Sequence, residues 1–204
     1  MPIKSAADLL LLLMYAKGST GEYNEEIPGI TRLEKLMYLL LKEGGFEEIL
    51  KDDIHFEPYD FGPYSSEVYD LLETLKEMDI VNIRTERYGT FREVIDELLY
   101  RELEDQPIIS KGRTMEVYSL TYDKGIKLIE ALKEKRITEE DIRIVERIKS
   151  RYNGLNLDDL LRYVYTKYPE STKKSKIIDK ILGLGIRPDL KPFKREEGAS
   201  GAGD

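Results

Sequence analysis

Apolar positions recur at helical spacing between Ile54 and Asp79. Val68, Leu71, Leu72, Leu75 and Met78 form one stripe, and Glu67, Asp70, Glu73, Lys76, Glu77 and Asp79 face the other way. An extended segment rich in aromatics leads into this helix: Phe56, Tyr59 and Phe61 stand among Pro58, Gly62 and Pro63. Pro63 suits the first helical turn, where a missing N–H costs nothing. Gly62 supplies the backbone angles of a sharp turn. Ser65 and Ser66 are alternative caps.

The same signals divide the rest of the chain. Ser5 caps a first helix over about 6–17, apolar nearly all round, with Gly18 at its end. Such a helix is either central or half of a dimer seam. Residues 18–29 read as a loop. Thr31 and Glu34 form a capping box for a second helix with Leu33, Leu36, Met37, Leu40 and Leu41 inside, ended by Gly44–Gly45. Ile80–Ile83 alternates as a short strand, and Arg84, Arg87, Tyr88 and Gly89 suggest a turn. Thr90 and Glu93 open a helix through Ile95, Leu98, Leu99 and Leu103 that Pro107 stops. Met115–Leu120 is a second strand, and Thr121 starts a helix with Ile126, Leu128, Ile129 and Leu132. Three further helices follow, opened by Thr138 with Asp141, by Asn156 with Asp159, and by Ser171 or Thr172.

Helix, helix, helix, strand, insert, strand, helix is the winged-helix order. The expected fold is mainly α with a small β-hairpin wing, a winged-helix-like core plus C-terminal helices. Residues 1–136 would make the core, 137–193 a helical extension, and 194–204 a disordered tail.

Composition narrows the chemistry. The chain has 204 residues and no cysteine, which excludes disulfides, thiolate nucleophiles and cysteine-based zinc sites. A cytoplasmic location is expected. One glutamine and four asparagines beside abundant Glu, Lys and Arg fit a thermophile source. No stretch approaches a membrane span, so no membrane partner is expected. The net charge of −8 is uneven. Residues 1–122 carry 13 basic and 25 acidic side chains, and residues 123–176 carry 14 and 10.

His55 is the only histidine and reads as structural. Glu25–Glu26, Asp52–Asp53, Glu139–Asp141 and Asp158–Asp159 read as caps or solvated faces. No catalytic residue, metal ligand or cofactor is expected, and the chain reads as a non-enzyme. DNA binding is weighed as the alternative. The third helix of a winged helix lies in the major groove, and here it offers Glu67, Asp70, Glu73 and Glu77, which phosphates repel. Duplex DNA would therefore meet the wing (Arg84, Arg87, Arg92, Lys111, Arg113) or a late basic set including Arg143, Arg147, Lys149, Arg151, Arg162, Lys173, Lys174 and Lys176.

Two segments, TRLEKLMYLLL at 31–41 and FEPYDFGPYSSEVYDLLETL at 56–75, resemble the Panacea domain of SocA-like antitoxins and phage-associated proteins. Lys35–Leu36, Gly62–Pro63 and Val68–Tyr69 carry the likeness. It covers a quarter to a third of the chain. It implies a compact, mostly helical domain that neutralises a toxin by protein–protein contact. Fourteen tyrosines fit an interaction surface, because tyrosine buries area and keeps a polar handle. The expected function is a protein-interaction module with a toxin-like or regulatory protein partner. Tyr59, Phe61, Tyr64, Glu67, Tyr69, Asp70 and Glu73 are the candidate contacts, and Leu9–Leu13 is a candidate homodimer surface.

Overall fold

A computed structural model describes residues 3–87 and 114–183. The expected helix over 95–103, the basic residues Arg92, Lys111 and Arg113, the segment 184–193 and the tail 194–204 lie outside the described residues. α1 (Ala6–Tyr15) is followed by β1 (Ile27–Pro28), α2 (Ile30–Gly44), the single turn α3 (Glu47–Leu50), a hairpin of β2 (Glu57–Tyr59) and β3 (Gly62–Tyr64), and α4 (Ser66–Glu77). Then come β4 (Val81–Arg87), β5 (Thr114–Leu120), α5 (Gly125–Lys135), α6 (Glu139–Tyr152) and α7 (Leu157–Lys167). A 3-10 turn (Pro169–Thr172) and α8 (Ile178–Gly183) close the described chain.

The fold is mainly α with a small antiparallel sheet, as the periodicity predicts. β4 pairs with β5 from Val81 opposite Leu120 to Arg87 opposite Thr114. β1, read as loop from the sequence, adds a third strand, so the order is β1-β5-β4. Two residues are too short to show alternation. Arg84–Arg87 was expected to turn and instead extends β4, because the ladder to β5 continues past Ile83. Asn24, in the left-handed region at φ 57°, completes the β1 side of the sheet. Its amide donates to the Leu120 carbonyl at 3.0 Å and accepts from the Leu120 N–H at 2.8 Å.

α1 settles the choice its composition left open. Leu9, Leu10, Leu12 and Leu13 are 0% exposed, so this helix is central and Leu9–Leu13 offers no dimer surface. The Ser5 hydroxyl caps it at Asp8 N, 3.1 Å, but the helix ends at Tyr15, short of Gly18. α2 is buried over almost its whole length. Its expected Thr31–Glu34 capping box is absent: Gly29, at φ 88°, is the N-cap, and Thr31 and Glu34 lie buried within the helix. The Thr138–Asp141 box at the start of α6 is present in full. The last helix begins later than expected, at Ile178, because Pro169–Thr172 winds as a 3-10 turn.

One hydrophobic cluster takes residues from Ile3 to Ile181. α6 packs on α1 and α2, and α7 packs on α2, so the C-terminal helices share the core of the preceding elements. Buried cations tie these layers together. Lys149 of α6 donates to the carbonyls of Met14, Ala16 and Glu25 at 2.9, 2.8 and 2.7 Å, closing the C-terminus of α1. Arg32 of α2 donates to Asn153 O at 2.8 Å and Leu155 O at 2.7 Å, closing the C-terminus of α6. Glu43 accepts from the hydroxyls of Tyr152, Tyr163 and Tyr168 and from the Lys167 ammonium, all within 3.1 Å.

Candidate functional site

The aromatic segment folds as the β2–β3 hairpin, with Pro58 opposite Pro63 and Tyr59 opposite Gly62. Pro63 thus lies in β3 and not in the first turn of α4, whose N-cap is Ser65. Gly62 has φ 87°, and a Cβ there would stand 2.7 Å from the Tyr165 ring. The hairpin tip is fastened from the C-terminal side. The Asp60 carbonyl accepts from the Lys176 N–H at 3.1 Å, and its carboxylate pairs with the Lys176 ammonium at 3.0 Å.

This hairpin and α4 set three tyrosines in a row. The rings of Tyr59 and Tyr64 lie 4.9 Å apart at 35°, and those of Tyr64 and Tyr69 5.4 Å apart at 39°. Tyr59 and Tyr69 are exposed. Beside the rings opens a cleft of about 260 Å³, walled by Tyr59, Tyr64, Tyr69 and Phe61 and floored by Glu34 and Lys35 of α2. Four of the seven residues chosen from sequence therefore line one site.

The other three fare differently. Glu67 turns back on its own helix start, accepting from the Ser65 hydroxyl at 2.9 Å and lying 3.3 Å from His55 Nδ1. Burial opposes its charge. Bonds from its own N–H, Ser65, His55 and Ser66 win and hold its carboxyl below the usual range. Asp70 and Glu73 stand exposed on α4, as the stripe predicts. Met78 does not follow the stripe and is exposed, because α4 has already ended.

The cleft floor was missed as a site. The sequence pattern places Glu34 in a cap, and Lys35 enters only through the likeness to the Panacea domain. Lys35 is 1% exposed, and its ammonium donates to the Pro63 carbonyl at 2.9 Å. Glu34 is held loosely: one oxygen lies 3.6 Å from Lys35 Nζ, and the other accepts from Ser65 N at 3.4 Å. Burial pushes the Glu34 carboxyl above its usual range and the Lys35 ammonium below its own. Burial, with negative charge from Glu34, Asp70 and Glu57 among its neighbours, also raises the Tyr64 hydroxyl.

The basic residues named for DNA are dispersed. Arg84 is engaged by Glu26 at 2.6 Å and by Glu86. Arg87 ends β4. Lys149 and Arg162 are buried, Arg162 against Asp159 at 3.0 Å, so both leave the late basic set. Lys173, Lys174 and Lys176 are exposed. His55 is exposed and lies 3.3 Å from the Glu67 carboxylate.

A larger groove, about 920 Å³, runs between residues 19–26 and 119–123. Its inner polar groups are bonded to one another: Glu25 accepts from Asn153 Nδ2 and Thr20 N, both at 2.6 Å. That makes it a seam of the fold, and the smaller aromatic cleft is the better site. No described helix is long and apolar enough to cross a membrane. No protein-family model matches the chain, and no curated protein matches it.

Proposed function

We propose that this chain is a cytoplasmic, non-enzymatic interaction module that binds a protein partner through the tyrosine cleft, in the manner that its likeness to the Panacea domain implies. One observation carries the reading. Three neighbouring tyrosines, two of them exposed, surround a concave site beside the acidic face of α4. Aromatic side chains around a pocket, with a charged rim, are the usual anchors of a protein interface.

The sheet order β1-β5-β4 with α4 packed against β4 favours a second reading, a winged-helix DNA binder. Its α4 face is acidic, so contact would fall to the wing and to Lys173 and Lys174.

Affinity capture from extract of the source cells separates the two. The wild type is compared with a Tyr59→Ala/Tyr69→Ala variant, alongside duplex-DNA gel shifts at two salt concentrations. A polypeptide held by the wild type and lost by the variant supports the first reading. Salt-sensitive duplex binding that persists in the tyrosine variant and drops with Lys173→Glu/Lys174→Glu replaces it with the second.

A further inference from the structure

We infer that the cleft between α2 and the β2–β3 hairpin is a receptor for one arginine side chain of the partner, its guanidinium stacked on the Tyr59–Tyr64–Tyr69 row and paired with Glu34. This rests on the interaction reading and names what the partner must present.

Three features converge on that ligand. The first is an under-bonded acceptor. Glu34 is 4% exposed, yet its two contacts are long, 3.4 and 3.6 Å, while the buried carboxylate of Glu43 has four donors within 3.1 Å. A buried carboxylate gains most from a further charge-assisted donor. Lys35 answers it only in part: its ammonium pairs with Glu34 at 3.6 Å while its shorter bond, 2.9 Å, goes to the Pro63 carbonyl.

The second feature is the wall. Ring faces attract cations, and a planar guanidinium stacks on tyrosine where an ammonium only points at it. The rings follow one another at 4.9 and 5.4 Å with tilts of 35° and 39°, so they partly stack, and the exposed Tyr59 and Tyr69 at the two ends of the row offer ring surface to a flat group. The third is charge. Asp70 is exposed beside Tyr69 on α4, and Glu57 is exposed on β2. The acids nearest Tyr64 act on its hydroxyl with one sign. Asp60 is already paired with Lys176, which leaves Glu34 as the floor contact.

The volume fits as well. About 260 Å³ holds one long side chain with water and is too small for a helix. The partner would therefore insert a side chain from a loop or an extended segment.

The test uses the full chain and a minimal probe, acetyl-arginine amide, titrated while the Gly62 amide and the tyrosine ring resonances are followed by NMR. Saturable shifts at Gly62, Tyr59, Tyr64 and Tyr69 are expected. The uncharged acetyl-citrulline amide should bind about tenfold more weakly. Glu34→Gln should weaken the arginine probe by a similar factor. If Glu34→Gln fails to fold, Tyr69→Leu serves instead, since that ring is exposed and should weaken binding several-fold without disturbing the core.

Equal binding of citrulline, no shift at the cleft, or a Tyr69→Leu variant that binds like the wild type would each overturn the assignment. Those results leave the interaction reading standing if tyrosine substitution still abolishes partner capture. Arginine binding without any captured polypeptide supports the pocket and removes the interaction reading.

Discussion

Two groups of buried charges do different work in this molecule. Around α6, Lys149, Arg32 and Glu43 are saturated by short bonds to carbonyls, hydroxyls and an ammonium. Under the tyrosine cleft, Glu34 and Lys35 are as deeply buried, but the carboxylate has only long contacts. Both pairs of elements had to desolvate charge to fold. A saturated charge fastens elements together, and an unsaturated one beside a cleft is held open for something else.

Stability measurements can break that contrast. Lys149→Met takes the donor from three carbonyls, two of them buried at the end of α1 and the third, of Glu25, partly buried. It should cost about 3–5 kcal/mol, read as a fall in the urea midpoint at unchanged slope. Glu43→Gln turns an acceptor for four donors into a group that must donate to one of them, and about 2 kcal/mol should be lost in the same assay.

Acid should separate the two carboxylate environments by sign. Glu25 has its pKa lowered from 4.5 to about 2. Burial works against this, and bonds from Thr20, Asn153 and Ser19 overcome it. Its folded value lies below the unfolded one, so its contribution is present above pH 4.5 and lost as pH falls toward 2. Much of the group meets solvent, so the screened effect is about 1 kcal/mol. Glu25→Gln should remove it at pH 6 and have a much smaller effect at pH 2. Glu34 is raised by burial, so its protonation should favour the folded state as pH falls through its range, and Glu34→Gln should flatten that rise. If both carboxylates weaken the fold on acidification, the distinction drawn between them fails.

The smallest effect is the sharpest. The double variant Glu34→Gln/Lys35→Met removes both charges together, leaving only the Pro63 carbonyl without its donor. Its stability should lie within about 1 kcal/mol of the wild type in urea, because removing a buried pair together avoids an orphaned charge. A loss as large as that of Lys149→Met would make the cleft floor a structural bond like the others.

Much of this was legible in the chain. The stripe Val68–Leu72–Leu75 gave α4, Ser5 and Thr138 gave two helix starts, and the aromatic run placed four of the cleft's walls. One of the buried charges was readable in principle. Lys149 falls on the line Val145, Ile148, Tyr152, so it occupies an apolar phase of its helix. Glu34 and Lys35 gave no such signal, since α2 is covered on nearly every side and phase carries little information there. Long-range pairing was also out of reach: β1 is two residues long, and its partner lies some ninety positions away.

Asn24 has one further consequence. By bonding both the N–H and the carbonyl of Leu120, its side chain imitates an extra rung of strand where β1 runs out. A foreign strand approaching that margin finds those two groups already taken, so self-association by sheet growth is blocked on that flank of β5 by a single amide.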